Sequence, residues 1–148
     1  MPEFRRILCP VDFSETSKRA FEYALALAAR LGAEVDVIHV YHLSADAVAL
    51  AEGTWEFPRE LEADLTTRLQ QQLDELVRHK PQMGVKVTTS LYQGIPYIEI
   101  TRAAKERGAD MIVIGTHGRT GLAHLLMGSV AERVVRLADV PVVSIRTR

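Results

Sequence analysis

Short apolar segments alternate along this chain with longer segments in which apolar residues recur every three or four positions. The short segments are rich in β-branched residues and predict strands over Arg5–Val11, Glu34–Tyr41, Val85–Leu91, Asp110–Ile114 and Val140–Ile145. Strands that alternate with helices predict a parallel sheet. Right-handed crossovers then place the helices on both faces of that sheet, so the pattern predicts an open five-stranded α/β fold.

The longer segments predict helices with recognisable boundaries. In the first helix, Ser14 is placed to cap the start and Gly32 to end the helix in a left-handed conformation. Its apolar stripe is Phe21, Ala24, Leu25, Ala28 and Leu31, and that of the second helix, between Pro58 and Pro81, is Leu61, Leu65, Leu69, Leu73 and Leu76. A third helix runs from about Pro96 to Arg107, before Gly108, and a fourth runs from Ser129 to Leu137.

Two segments need separate treatment. His42–Phe57 exceeds ordinary loop lengths and contains the only tryptophan of the chain. It is either a lid or partly helical, and the pattern does not decide between them. Pro141 enters the last strand, which predicts that this strand lies at an edge of the sheet, because proline cannot donate to a ladder.

Composition favours one cytoplasmic domain over residues 1–148. With 148 residues and 47% hydrophobic content, the chain can bury about 70% of its unfolded surface without cross-links. Its single cysteine, Cys9, lies among apolar residues and is expected in the core. No segment is apolar for long enough to span a bilayer. The balance of 18 basic and 19 acidic residues gives little electrostatic support for a nucleic-acid partner.

The most informative motif is Gly115-x2-Gly118-x9-Gly128-Ser129. Gly115 falls at the carboxyl end of the predicted fourth strand, where ligands of open α/β sheets bind. The helix that follows directs unpaired N–H groups and the positive end of its dipole at the loop, which favours an anion such as phosphate. A purely structural alternative is that the glycines only permit turns and that Ser129 only caps the helix.

A second candidate element is Pro10-Val11-Asp12, at the carboxyl end of the first strand. If the fourth strand lies beside the first, Asp12 and Gly115 face one crevice. Asp12 could then bind a ligand or hold phosphate-bound Mg²⁺, and it could equally cap the first helix. Val40, at the end of the second strand, could flank adenine and offer its main-chain N–H and C=O to the base, or it could be a core valine.

The remaining candidates favour binding over catalysis. His117 and Arg119 could contact phosphate oxygens, or they could simply be solvated. His39 and His42 would point to opposite faces of a strand, so a zinc site is not expected. The P-loop, the dinucleotide fingerprint and the common hydrolase motifs are absent from the sequence. The glycine loop also lacks an acidic residue or glutamine placed to orient an attacking water.

Taken together, these motifs resemble the universal stress protein family over essentially the whole chain. The resemblance rests on Pro10-Val11-Asp12, Val40, Gly94-Ile95-Pro96 and the ATP-binding form of the glycine motif. It implies a sheet order of 3-2-1-4-5, with adenine near Val11 and Val40. The ATP site that it implies comprises Pro10, Val11, Asp12, Val40, Ile114, Gly115, His117, Gly118, Arg119, Gly128, Ser129 and Val130.

The resemblance also implies a homodimer formed through the last strand. The residues concerned are Val140, Pro141, Val142, Val143, Ser144 and Ile145. Symmetric pairing would protect this apolar edge from uncontrolled association. The expected function is nucleotide sensing, in which bound ATP orders the glycine loop for a protein partner during stress. The alternatives are a dimeric interaction protein whose pocket is empty or holds another small molecule, and a slow ATPase.

Overall fold

Five parallel strands form one sheet in the order β3-β2-β1-β4-β5. The computed structural model describes residues 2–43, 59–117 and 127–147. The strands are β1 (Arg6–Pro10), β2 (Glu34–Tyr41), β3 (Val87–Gln93), β4 (Met111–Gly115) and β5 (Val142–Ile145). The helices of the described ranges are α1 (Glu15–Leu31), α2 (Arg59–Arg78), α3 (Pro96–Glu106) and α4 (Ser129–Leu137). The predicted fold class and strand order are confirmed.

The sheet has a hydrophobic core on each face. Ile7 and Leu8 are adjacent on β1 and fully buried, and they point into different cores. The core around Ile7 contains residues of α1 and α2, whereas the core around Leu8 contains residues of α3 and α4. Cys9 lies in the first core, as predicted, and burial raises the pKa of its thiol.

Local capping explains where α1 begins and ends. The Ser14 side chain accepts a hydrogen bond from the Ser17 N–H, and Gly32 ends the helix at a φ of 69°. Both predicted caps are therefore confirmed. In α2 the leucine stripe is buried only in its second half, at Leu73 and Leu76, whereas Leu61 is 49% exposed.

Some predicted strand boundaries are wrong by one or two residues. β5 begins at Val142, so Val140 and Pro141 precede it. Pro141 has no N–H to donate, although its carbonyl still accepts a hydrogen bond from the Ile112 N–H at 2.9 Å. β5 does lie at the edge of the sheet, as predicted. Residues 44–57 of the predicted irregular segment lie outside the described ranges.

The strand order determines where a ligand crevice can form. β1 lies between β2 and β4, and the connections after β1 and β4 lead to α1 and α4 on opposite faces of the sheet. The chain therefore diverges at the carboxyl ends of β1 and β4, which is the switch point of such sheets. Within the described ranges, no helix combines the length and apolar character that crossing a membrane requires.

Candidate functional site

A crevice of about 280 Å³ opens at the carboxyl ends of β1, β2 and β4. It is lined by Pro10, Val11, Asp12, Ser17, Val40, Pro96, Ile100, Ile114, Gly115, Thr116, His117, Gly128, Ser129, Val130 and Ala131. Of the twelve predicted site residues, ten line this crevice. The other two, Gly118 and Arg119, lie outside the described residues. The structure therefore brings together every predicted residue that it describes.

Five lining residues were not predicted from the sequence. They are Ser17, Pro96, Ile100, Thr116 and Ala131. Pro96 and Ile100 are four residues apart on α3 and therefore share one helix face. Thr116 lies within the glycine motif itself. It is 2% exposed, and the sequence pattern did not predict that this threonine would be buried.

One part of the crevice is apolar and suits a flat heterocycle. Val11 and Val40 reach it from the ends of β1 and β2, and Ile114 reaches it from β4. Pro96 and Ile100 close it from α3. Aliphatic side chains on several sides of a narrow cleft can sandwich an aromatic ring without competing for its polar edge.

The main chain of Val40 faces this apolar part. The carbonyl of Ile38 accepts from the Val11 N–H at 2.8 Å, on the β1 side of β2, whereas the carbonyl of Tyr41 accepts from the Gly94 N–H at 3.0 Å, on the β3 side. Because main-chain groups alternate between the two sides of a strand, the N–H and C=O of Val40 point to the β1 side. β1 has already ended at Pro10. These two groups therefore face the crevice.

Asp12 supports the turn that leads into α1. Its Oδ1 accepts hydrogen bonds from the Ser14 N–H at 3.0 Å and from the Ser14 hydroxyl. Ser14, not Asp12, is the N-cap of the helix. Asp12 also lines the crevice. Its carboxylate can therefore support the turn through Ser14 and contact a ligand at the same time.

The two described glycines of the motif are required by close packing. A Cβ on residue 115 would lie 2.8 Å from the Thr16 Cγ2 atom, and a Cβ on residue 128 would lie 2.7 Å from the Thr116 carbonyl oxygen. Neither glycine has a positive φ. The idea that these two glycines only permit turns is therefore wrong, because each allows the main chain to approach another element.

The start of α4 directs polar groups into the crevice. The N-cap is Gly128, so Ser129 is the first helical residue and not the cap. The first hydrogen bond of the helix runs from the Glu132 N–H to the Gly128 carbonyl at 3.0 Å. The N–H groups of Ser129, Val130 and Ala131 consequently have no acceptor within the helix, and all three residues line the crevice. Such a helix terminus favours an anion.

Metal-binding side chains are sparse in the described part of the site. No group of three His, Cys, Asp or Glu side chains there could hold a metal ion. His39, considered with His42 in the sequence, contacts the Val11 carbonyl oxygen through Nδ1 at 2.7 Å. Asp12 is the one carboxylate among the described lining residues, so a divalent ion would need most of its ligands from phosphate and water.

Comparison with known proteins identifies the family. The sequence model of the Universal stress protein family matches residues 3–146. The chain belongs to the universal stress protein family. Universal stress protein MJ0531 of Methanocaldococcus jannaschii is 38% identical to it over 143 residues, which are 97% of this chain and 82% of that protein.

Solved structures of universal stress proteins share this fold. The structure of MJ0577, also a Methanocaldococcus jannaschii protein, superposes with a TM-score of 0.84 at 31% identity and covers 99% of both chains. The universal stress protein from Archaeoglobus fulgidus in complex with dAMP gives a TM-score of 0.61 at 24% identity, over 98% of this chain and 99% of that chain. At that identity the second likeness concerns the fold alone.

Proposed function

We propose that this universal stress protein binds ATP, or another adenine nucleotide, together with Mg²⁺ in the crevice. The observation that carries the proposal is the convergence of the ten described motif residues on one crevice. They come from three strand ends and one helix start, so their meeting is a property of the fold. The dAMP complex of the Archaeoglobus fulgidus protein supports the proposal, because there the same fold holds an adenine nucleotide.

Each end of the crevice suits one part of a nucleotide. The base would lie between Val11, Val40 and the α3 residues, with its polar edge against the main chain of Val40. The phosphates would lie at the start of α4, where three N–H groups have no helical acceptor and the Ser129 hydroxyl is not used for capping. Asp12 would contact the ribose or the Mg²⁺ ion between these two ends.

We propose binding without rapid turnover. Among the described lining residues, the titratable side chains are Asp12 and His117. Asp12 already accepts two hydrogen bonds from Ser14, so it is poorly placed to activate a water. Sustained turnover of Mg·ATP at about 1 s⁻¹ or faster would contradict this part of the proposal and favour an ATPase.

We further propose that the protein is a cytoplasmic homodimer whose nucleotide occupancy is recognised by a protein partner. β5 is an edge strand, and the carbonyls of Pro141 and Ile145 accept hydrogen bonds from Ile112 of β4 and from Thr116 just after β4. By alternation the main chains of Val142 and Ser144 face outward. An exposed edge of this kind can pair with a second copy about a two-fold axis.

Native mass spectrometry of the purified protein tests the proposal directly. Denaturation then identifies any small molecule that co-purifies, and calorimetry measures the binding of added Mg·ATP. A dimer that carries or binds about one adenine nucleotide per chain is the expected result. A dimer that neither carries nor binds adenine nucleotides would overturn the nucleotide proposal and leave an interaction protein as the function.

A further inference from the structure

The side chain of His39 contacts the main chain of Val11, a residue that lines the crevice. This side chain lies next to Val40 on β2 and is 8% exposed. Its Nδ1 is 2.7 Å from the carbonyl oxygen of Val11. A carbonyl oxygen only accepts hydrogen bonds, so Nδ1 carries a proton and the ring donates. The carbonyl oxygen of Val11 is therefore hydrogen-bonded to the imidazole of His39.

In a regular ladder this carbonyl would have another partner. β1 pairs with β2 in a register that sets Pro10 opposite Ile38, and the Val11 N–H continues it by donating to Ile38. The next rung of a parallel ladder would run from the Val40 N–H to the Val11 carbonyl. That rung is absent from the described main-chain hydrogen bonds, and the side chain of His39 replaces it.

Phe13 shows that the main chain turns two residues after Val11. It has a φ of 66°, a left-handed conformation that bulky side chains rarely adopt. Its ring lies against His39, with the centroids 4.6 Å apart. His39 thus contacts both the Val11 carbonyl and the aromatic side chain at this turn.

We infer that His39 is the positioning residue for recognition of the base. By donating to the Val11 carbonyl it holds that oxygen beside Nδ1 and away from the Val40 N–H, so that this N–H can donate to a ring nitrogen of a purine. His39 acts through the main chain and does not touch the ligand. The inference rests on the proposed function, because it assigns the source of selectivity within that same site.

Deaza analogues of ATP measure this hydrogen bond directly. Adenine has one ring-nitrogen acceptor beside its amino group on each edge, N1 on one edge and N7 on the other. Wild-type protein is titrated with the Mg²⁺ complexes of ATP, 1-deaza-ATP and 7-deaza-ATP. One of the two analogues should bind about 5- to 10-fold more weakly than ATP, as expected for one lost hydrogen bond.

Two substitutions at position 39 then separate positioning from a general structural role. His39→Leu removes the donor and places an aliphatic side chain in the same buried position. It should abolish the difference in affinity between ATP and the sensitive analogue. His39→Asn places an amide N–H near the position of Nδ1 and should preserve that difference. His79→Leu, which changes an exposed histidine just after α2, is the matched control and should bind all three nucleotides as wild type does.

The possible failures are distinguishable. Equal affinity of wild type for ATP and both analogues would overturn the inference, as would an unchanged difference in folded His39→Leu. Wild type that binds no adenine nucleotide would overturn the proposed function instead.

A measurement on the wild type alone covers the case in which His39→Leu does not fold. The amide hydrogen of Val40 should exchange rapidly in the nucleotide-free protein and slowly in saturating Mg·ATP. Slow exchange at Val40 in the nucleotide-free protein would show that this N–H is already bonded and would overturn the inference.

Discussion

The main-chain N–H of Gly128 donates to the carbonyl oxygen of Thr116 at 2.5 Å, and this bond fixes the start of α4 against the end of β4. A Cβ atom on residue 128 would lie 2.7 Å from the same oxygen. Gly128→Ala must therefore displace the start of α4, together with the three N–H groups that have no acceptor within the helix. We expect the affinity for Mg·ATP to fall by about 10-fold or more and the stability to fall by about 1–3 kcal/mol, as measured by calorimetry and urea unfolding.

Gly108→Ala is a suitable control for this substitution. Gly108 follows α3 with a φ of 65°, and a Cβ there would meet no atom within 4 Å. The left-handed conformation alone should cost about 1 kcal/mol of stability. Nucleotide affinity should not change, because Gly108 is not a crevice residue. Unchanged affinity in folded Gly128→Ala would show that the start of α4 does not hold the phosphates.

Ser129→Ala tests whether the hydroxyl at the start of α4 contacts phosphate. Ser129 is not the N-cap, and Gly128 provides no side-chain cap. Removal of the hydroxyl should therefore change the stability by less than about 0.5 kcal/mol. Affinity for Mg·ATP should fall by about 5-fold, whereas affinity for adenosine should be the same as in wild type. An equal loss for both ligands would contradict the phosphate assignment.

Ser144→Pro tests dimerisation through β5. The main chain of Ser144 faces away from β4, so proline removes an outward N–H and no rung of the β4–β5 ladder. We expect a folded monomer by analytical ultracentrifugation, with Ser144→Ala remaining a dimer. A Ser144→Pro dimer as tight as the wild-type dimer would place the interface elsewhere.

Asp36 should be essential for stability because it joins two arginines inside the fold. Its carboxylate is 2% exposed, with Oδ2 at 3.3 Å from the Arg6 Nη1 and 3.6 Å from the Arg107 Nη1. Asp36→Asn removes the anionic partner of Arg107 and one of the two partners of Arg6, the other being Glu34, and should cost about 3 kcal/mol in urea unfolding. Asp139→Asn, which breaks an exposed ion pair with Lys105, should cost less than about 1 kcal/mol. Similar losses in the two variants would contradict a specific role for the buried ion pair.

The resemblance to the universal stress protein family implied the correct sheet order, and local pattern and motif spacing predicted the limits of α4 correctly. The start of β3 was predicted two residues too early, at Val85. In the structure the Val85 N–H bonds back to the Gln82 carbonyl at 2.8 Å, in a turn where Met83 and Gly84 both have positive φ. An apolar residue inside a tight turn looks like the start of a strand, and only the backbone conformation separates the two.

The candidate site was predictable in its membership but not in its internal contacts. The family resemblance implied ten residues that meet in the crevice, because shared motifs reflect which residues must converge. It did not show that Gly128 is needed beside the Thr116 carbonyl, since that contact depends on the path of the chain between them. His39 was considered only as a metal ligand, because its contact with Val11 spans 28 residues of sequence.

Glu34 should contribute to the loss of stability in acid. The hydrogen bond from Lys86 lowers the pKa of Glu34, desolvation opposes this effect, and the charges of Arg6 and Lys86 lower the pKa further. Because its pKa is lower in the folded state than in the unfolded state, the carboxylate stabilises the fold at neutral pH. This contribution is lost as the pH falls from the ordinary range of glutamate, about 4.3, through the folded-state pKa.

Glu34→Gln should accordingly be less stable than wild type at pH 7, and the difference in the free energy of unfolding should shrink as the pH is lowered and vanish near pH 2. Urea unfolding at a series of pH values measures this difference. Glu106→Gln removes an exposed carboxylate from α3 and controls for the change in net charge. A difference between Glu34→Gln and wild type that stays constant from pH 7 to pH 2 would show that the pairing of Glu34 with Lys86 and Arg6 does not contribute to the pH dependence.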